Sequence, residues 1–149
     1  MGNFNRVVFS TNSVHWDTPL HIFKELHKEF DFNQDPTNRP LIGPGFIDGL
    51  RTKWLLPGGI KTRNFINPPY RRGLVDFWVQ KAIYEAKRGN SELSVFLIPL
   101  RNSDYFKTLR KIGAEFRLCE KRLKFGDADN SANTDDNGAP FDSVIAILK

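Results

Sequence analysis

The sequence predicts a single-domain α/β fold with a mostly parallel sheet and helices on both faces. The chain has 149 residues, about the length of one domain. Segments with helical periodicity alternate along it with short apolar segments typical of strands. One of these, L-S-V-F-L-I-P at residues 93–99, is the continuous apolar run expected of a strand that is buried on both faces.

The first helix is predicted over D-T-P-L-H-I-F-K-E-L-H-K-E-F, residues 17–30. Asp17 or Thr18 can cap its N-terminus, and Pro19 suits the first helical turn. Apolar residues then recur every three or four positions, as expected for a helix with one buried face. They are Leu20, Phe23, Leu26 and Phe30.

Two further helices are predicted in the second half of the chain. Apolar residues recur every four positions from Leu74 to Ala86, with further apolar side chains beside them, which makes one helical face of about four turns. The third helix is predicted from Ser103 or Asp104 to Ile112. Its inward-facing residues are predicted to be Phe106, Leu109 and Ile112.

The other predicted strands lie between and after these helices. F-D-F-N-Q-D at residues 30–35 is a short strand, and a second strand must end at Asn67, because the proline pair that follows lacks the N–H groups of a sheet ladder. A-E-F-R-L-C at 114–119 and S-V-I-A-I-L at 143–148 are two more. Residues 36–62 are rich in glycine and proline and are predicted to be mostly loop.

The chain is basic, and several of its acidic residues are concentrated in one segment. It contains 22 Lys and Arg against 17 Asp and Glu, a net charge of +5. Residues 127–140 contain four acidic residues and no Lys or Arg. The rest of the chain therefore contains 22 Lys and Arg against 13 Asp and Glu, a net charge of +9. A basic body suits a polyanionic partner, although solubility explains the charge equally well. We predict that 127–140 is a mobile loop and that 1–14 form an N-terminal arm.

Several classes of protein are excluded by what the sequence lacks. No apolar run approaches the roughly 20 residues that span a bilayer, and no secretory signal opens the chain. The single cysteine, Cys119, excludes an internal disulfide and fits a reducing cytoplasm. His21 and His27 stand about 240° apart on a helix and cannot share a metal. The sequence therefore predicts a cytoplasmic protein without a membrane segment or a metal site.

The motif N-F-I-N-P-P-Y-R-R, residues 64–72, points to a chemistry. Its two prolines hold the side-chain oxygen of Asn67 and the backbone carbonyl of Pro68 in a fixed relation. Two such acceptors, bound to the two hydrogens of a planar exocyclic amine such as adenine N6, pull the nitrogen towards tetrahedral geometry and localise its lone pair. The motif thus suits an amine that attacks as a nucleophile.

The surroundings of this motif suit a base within a nucleic acid. Tyr70 can stack on a base that is swung out of its helix, and Arg71 and Arg72 can reach phosphate. Open α/β sheets bind ligands at the carboxyl ends of their strands, where Asp35 and Asn67 both lie in the predicted pattern. The motif therefore falls where a site is expected.

The chain resembles the phage-type DNA N6-adenine methyltransferases, which use S-adenosylmethionine. The resemblance extends from His15 to Leu148 and includes the Asn-Pro-Pro-Tyr block, which is specific to amino-nitrogen methylation. It implies a Rossmann-like methyltransferase fold over the whole chain. The blocks that carry it are W-D-T-P at 16–19, F-D-F-N-Q-D at 30–35, N-P-P-Y at 67–70, L-I-P-L-R at 97–101 with Y-F at 105–106, and R-L-K-F at 122–125 with A-P-F-D-S at 139–143.

The resemblance implies roles for individual residues. The catalytic turn would consist of Asn67, Pro68, Pro69 and Tyr70. The S-adenosylmethionine side would be formed by Trp16, Thr18, Pro19, Asp35 and Asn67, with the carboxylate suited to a ribose hydroxyl or to an ammonium group. The residues facing the nucleic acid would be Arg71, Arg72, Arg101, Arg122 and Lys124.

The expected function is methyl transfer from S-adenosylmethionine to adenine N6 in DNA. A single domain of this length predicts a short or relaxed recognition sequence, read by loops 36–62 and 126–140. The resemblance also suggests protection of phage DNA from host restriction, in the host cytoplasm. The same turn can serve cytosine N4, adenine in RNA or a glutamine amide, and a catalytically inactive DNA-binding module is a further alternative. The oligomeric state, monomer or dimer, stays open.

Overall fold

The structure, a computed structural model, describes residues 18–37, 48–119 and 142–149. Within these residues the chain forms three α-helices, one short 3-10 helix at Pro57–Gly59 and four strands. The predicted arm at 1–14 and the predicted mobile loop at 127–140 lie outside the described residues, so both stay predictions.

A four-stranded sheet forms the centre of the described structure. Its strands are β1 (Thr62–Ile66), β2 (Ser91–Pro99), β3 (Glu115–Leu118) and β4 (Ser143–Leu148). Their order across the sheet is β1-β2-β4-β3. β1 and β2 are parallel, whereas β4 runs antiparallel to both β2 and β3.

The prediction of a mostly parallel sheet is confirmed in part. β1, β2 and β3 run in one direction, but β4, which lies between β2 and β3, runs antiparallel to both, so the described sheet is mixed and not all-parallel. The last strand is apolar from Val144 to Leu148 and buried along its whole length, as expected for a strand that lies between two others. Parallel strands share that property, so an apolar run indicates burial and not strand direction.

The three predicted helices are confirmed as α1 (Leu20–Phe30), α2 (Leu74–Lys87) and α3 (Asp104–Lys111). Two details differ from the prediction. Thr18 does not cap α1, because its hydroxyl is hydrogen-bonded to another part of the chain. Ile112 is 40% exposed, because α3 ends one residue before it. No helix in the described parts of the chain is long and apolar enough to cross a membrane.

Helices cover both faces of the sheet, as predicted. Successive residues of β2 point to opposite faces. Val95 and Leu97 belong to the core layer that contains the α1 side chains, whereas Phe96 and Ile98 belong to the layer of α2 and α3. Because both faces are closed to water, the groups available for a reaction lie at the strand ends.

The prediction of a strand at residues 30–35 is wrong. Only Gln34 forms a bridge, in parallel, with Asn64 of β1. A regular ladder does not continue, because the side-chain oxygen of Asn33 accepts the Arg63 N–H at 2.8 Å in place of a backbone carbonyl. The Gln34 side chain also donates to the buried Asn64 side-chain oxygen at 3.0 Å. The segment therefore runs beside β1 without being a strand.

Residues 48–61 form a loop that packs on α2, in agreement with its predicted loop character. Its anchor is Trp54, which is fully buried and donates its indole N–H to the Gly49 carbonyl at 2.7 Å. Gly49 lies so close to Pro36 that a Cβ would approach the Pro36 carbonyl oxygen to 1.9 Å. The loop is thus held at a fixed position on the helix.

A carboxylate on the buried face of α2 fixes this loop and the start of β2. Glu85 accepts hydrogen bonds from Lys81 Nζ at 2.6 Å, from Asn90 Nδ2 at 2.7 Å and from the Trp54 backbone N–H at 3.2 Å. Desolvation by burial raises the pKa of Glu85, but the hydrogen bonds outweigh it and hold this pKa below its usual range. Glu85 therefore stays ionised in the folded protein.

We predict that Glu85→Gln destabilises the protein by about 2 kcal/mol at about pH 7, because charge-assisted hydrogen bonds are lost in a buried position. Because folding lowers this pKa, the contribution is present above the unfolded value of 4.5 and is lost as the pH falls through the folded value. Urea unfolding as a function of pH should show the stabilities of parent and variant converging in acid. Glu92→Gln, which removes an exposed partner of Arg63, is the control. Parallel pH curves for parent and Glu85→Gln would contradict the prediction.

Candidate active site

The Asn-Pro-Pro-Tyr motif forms a turn between β1 and α2. β1 ends at Ile66, one residue before the predicted end at Asn67. The turn leads to Gly73, which has a φ of 85° and directly precedes the first residue of α2. A positive φ of this size favours glycine, which explains the residue at this position. The turn therefore leaves the sheet at the carboxyl end of β1, which is the end at which parallel strands bind ligands.

The side chain of Asn67 is fully buried and joins three parts of the chain. Its Nδ2 donates to Oγ1 of Thr18, two residues before α1, at 2.9 Å. Its Oδ1 accepts a hydrogen bond from the Tyr70 hydroxyl at 2.7 Å. The Tyr70 hydroxyl also lies 2.9 Å from the carbonyl oxygen of Leu97 in β2. The amide is thus oriented by neighbours on both sides.

The Tyr70 hydroxyl stands between two acceptors but has a single hydrogen to donate. It can donate to Asn67 or to Leu97, but not fully to both at once. Rotation of this hydrogen towards Leu97 would release the Asn67 oxygen without leaving the buried hydroxyl unpaired. The Tyr70–Asn67 hydrogen bond can therefore be exchanged for a Tyr70–Leu97 hydrogen bond at low cost.

A cleft of about 560 Å³ lies beside the turn. Arg71 and Arg72 line one wall, and Arg101, in the loop between β2 and α3, lines the other. All three side chains are exposed, and neither Arg71 nor Arg72 forms an ion pair within the described parts of the chain. The fold thus brings Arg101, a predicted nucleic-acid contact, to the same cleft as Arg71 and Arg72, which lie about 30 positions earlier in the sequence. Tyr70 also borders this cleft, although most of its surface is buried.

Some of the residues predicted on the cofactor side lie at the turn. Thr18 contacts Asn67 directly, and Pro19 is buried beside it at the start of α1. Asp35 follows the bridge to β1 and so lies at the same sheet edge as Asn67. Its Oδ1 accepts hydrogen bonds from the backbone N–H and the hydroxyl of Thr37. Those bonds shape the local turn, so Asp35 also has a structural role.

Other predicted site residues lie outside the described parts of the chain. Trp16 on the cofactor side, and Arg122 and Lys124 on the nucleic-acid side, belong to this group and stay predictions. Within the described residues, no group of three or more His, Cys, Asp or Glu side chains is arranged to hold a metal ion. His27 has a structural contact, because its Nδ1 accepts the Phe32 N–H at 3.1 Å.

The sequence analysis missed two structural features, one at the cleft and one at the far end of α2. Tyr105 lines the cleft opposite Tyr70, and its hydroxyl donates to the Pro99 carbonyl at 2.8 Å. Burial raises the pKa of Tyr105, which keeps the hydroxyl protonated as a donor. The second is Glu85, whose signal was present: it stands three residues after Ala82 on the apolar stripe of α2, four residues after a lysine.

The geometry defines an α/β protein in which a rigid, hydrogen-bonded turn borders a cleft lined by three arginines and two aspartates. The family model for DNA N-6-adenine-methyltransferase (Dam) matches residues 9–149. The chain belongs to this family, as the motif resemblance indicated, and the family is one of DNA adenine methyltransferases. No curated protein and no solved structure matches the sequence.

We predict that Thr18→Val destabilises the protein by about 1.5 kcal/mol, because a buried amide donor loses its hydroxyl acceptor. Thr18→Ser keeps the oxygen and should recover most of this loss. Urea unfolding of both variants beside the parent provides the comparison. Equal stabilities for the valine and serine variants would show that the Asn67–Thr18 hydrogen bond contributes nothing.

Proposed function

We propose that the protein transfers the methyl group of S-adenosylmethionine to the N6 amino group of adenine in DNA. The observation that carries this proposal is the turn 67–70, which presents a buried, oriented amide at the carboxyl end of β1 beside a cleft with three arginines. Membership of the DNA adenine methyltransferase family supports the substrate class.

The turn offers two acceptors to the target amine. The Asn67 oxygen and the Pro68 carbonyl would each accept one N6 hydrogen, so the nitrogen becomes pyramidal and its lone pair localises. Tyr70 would turn its hydroxyl towards the Leu97 carbonyl as the amine replaces it at Asn67. Because these groups are held by the fold before the base arrives, little reorganisation is needed at the moment of attack.

The cofactor side is assigned to the sheet edge formed by Thr18, Pro19, Asp35 and Asn67, together with Trp16. A carboxylate and a hydroxyl at one strand edge suit the ribose hydroxyls and the ammonium group of S-adenosylmethionine. When bound, this cofactor supplies an electrophilic methyl group on a sulfonium that is a good leaving group. The polar, buried character of Thr18 and Asp35 is consistent with that assignment.

The nucleic-acid side is assigned to the cleft. Arg71, Arg72 and Arg101 would neutralise phosphates around the extruded adenine, and Tyr70 would stack on the base. Arg122 and Lys124 would extend this surface. We further propose a short or relaxed recognition sequence, a host-cytoplasmic location for a phage-encoded enzyme, and a role in protecting phage DNA from restriction.

We predict that Asn67→Ala lowers methylation by about 100-fold or more, because one of two preorganised acceptors is removed. DNA is incubated with isotopically labelled S-adenosylmethionine and digested to nucleosides, and the products are identified by mass spectrometry. The expected product is labelled N6-methyldeoxyadenosine, which should almost disappear in the variant. Gln80→Ala, which removes an exposed carboxamide of α2 outside the cleft, is the matched control and should retain activity within a few-fold.

The same assay separates the alternatives. Label in cytosine, in adenine of an RNA or in a glutamine side chain would change the substrate but keep the turn as the catalytic group. S-adenosylmethionine binding without label in any of these substrates would indicate an inactive module. Unchanged activity of Asn67→Ala would remove the turn from the mechanism.

We predict that the double variant Arg71→Gln/Arg72→Gln weakens DNA binding and lowers the slope of log affinity against log salt by about two, one for each lost phosphate contact. The control is Lys24→Gln/Lys28→Gln, which removes the same charge from exposed positions of α1 on the other face of the sheet. Fluorescence anisotropy over a range of salt concentrations gives both slopes. Equal slopes for the two double variants would assign the effect to net charge alone.

A further inference from the structure

A second cationic site lies at the opposite end of α2 from the catalytic cleft. It is a hollow of about 290 Å³ between the 48–61 loop and the C-terminal half of the helix. We call it the basic hollow and define it by Arg51, Lys53, Lys81 and Arg88, with Tyr84 at its edge. None of these residues has a part in the proposed reaction.

The basic hollow carries an excess of positive charge. Its one lining carboxylate, Glu85, is buried and hydrogen-bonded to Lys81, so it compensates that cation only. Arg51 has Asp48 at 3.7 Å, but both side chains are largely exposed and such a pair is weak. Lys53 and Arg88 form no ion pair within the described parts of the chain. Three cations are therefore available to an anion.

The helix dipole explains only part of this arrangement. Cations at a helix C-terminus are favoured by the partial negative charge there, which suits Lys87 and Arg88. Arg51 and Lys53 come from a separate loop, and that loop is held against the helix by buried Trp54. The fold thus brings mutually repelling charges together, an arrangement that an anionic partner would stabilise.

Exposed aromatic rings accompany these cations. Tyr84 is 52% exposed, with the Arg88 guanidinium 5.4 Å and Lys81 Nζ 5.5 Å from its ring centroid. Phe77, 63% exposed, lies seven residues earlier and so on the same face of α2. The Tyr84 ring holds both cationic groups at the surface of the helix through cation–π contacts. This face of α2 extends from Tyr84 through Phe77 towards the N-terminal end of the helix, which Arg72 precedes.

We propose that the basic hollow binds backbone phosphates of the substrate DNA on one flank of the target adenine. The proposal rests on the proposed function for the identity of the DNA. α2 has 14 residues and is about 20 Å long, which corresponds to about six base pairs. The hollow would therefore contact DNA only when the duplex extends about six base pairs beyond the target.

The test compares two duplexes that share the target site, one of about 8 and one of about 24 base pairs. Lys53→Gln/Arg88→Gln is measured beside the Lys24→Gln/Lys28→Gln control, by fluorescence anisotropy over a range of salt concentrations. We expect the first variant to bind the long duplex about 10-fold more weakly, with a salt slope reduced by about two. Binding of the short duplex should not change, and the control should match the parent on both duplexes.

Three results would overturn the inference. If Lys53→Gln/Arg88→Gln loses the same affinity for both duplexes, the effect is one of general charge. The same conclusion follows if this variant and Lys24→Gln/Lys28→Gln lose equal affinity. If Lys53→Gln/Arg88→Gln binds DNA like the parent but no longer binds inorganic phosphate, which the parent binds, the hollow is a site for small anions. Labelled methyl transfer to the short duplex is measured in parallel, because it tests the proposed function without the hollow. If the protein methylates the short duplex and Lys53→Gln/Arg88→Gln binds the long duplex as tightly as the parent does, this inference is wrong and the proposed function stands.

Discussion

The buried amide of Asn67 is the interaction on which the candidate site depends. It connects Thr18, two residues before α1, with the end of β1 and, through Tyr70, with Leu97 near the end of β2. A buried amide is costly unless it is hydrogen-bonded, so its partners are constrained in position as strongly as the amide itself. The same bonds that stabilise the strand ends therefore orient the acceptor that the proposed reaction requires.

α2 connects the two cationic regions of the described structure. Its N-terminus follows the proline turn and the cleft, and its C-terminal half carries Glu85, which fixes the 48–61 loop. A helix packed on a sheet is rigid, so the separation of the two regions is set by the number of its residues. In the proposed complex, one region would hold the reacting base and the other would hold the flank of the same duplex.

Much of the secondary structure was predictable because apolar periodicity reports which faces are buried. The helices α1, α2 and α3 and the strands β1 to β4 appear close to their predicted positions. The direction of β4 was not predictable, because an apolar strand between two neighbours has the same sequence pattern in either direction. The segment 30–35 was predicted to be a strand, but the side chain of Asn33 replaces the backbone acceptor of the ladder hydrogen bond.

The sequence by itself determined the chemistry of the turn, because the rigidity of two prolines and the acceptors of Asn67 and Pro68 are local properties. It also indicated the family, since the motifs occur in order along the chain. Only the tertiary structure decided which groups meet this turn. Thr18, Leu97 and Arg101 reach it from distant positions, and such proximity results from packing across the sheet rather than from any local pattern. The same holds for the basic hollow, whose cations come from a loop and a helix joined by a buried carboxylate.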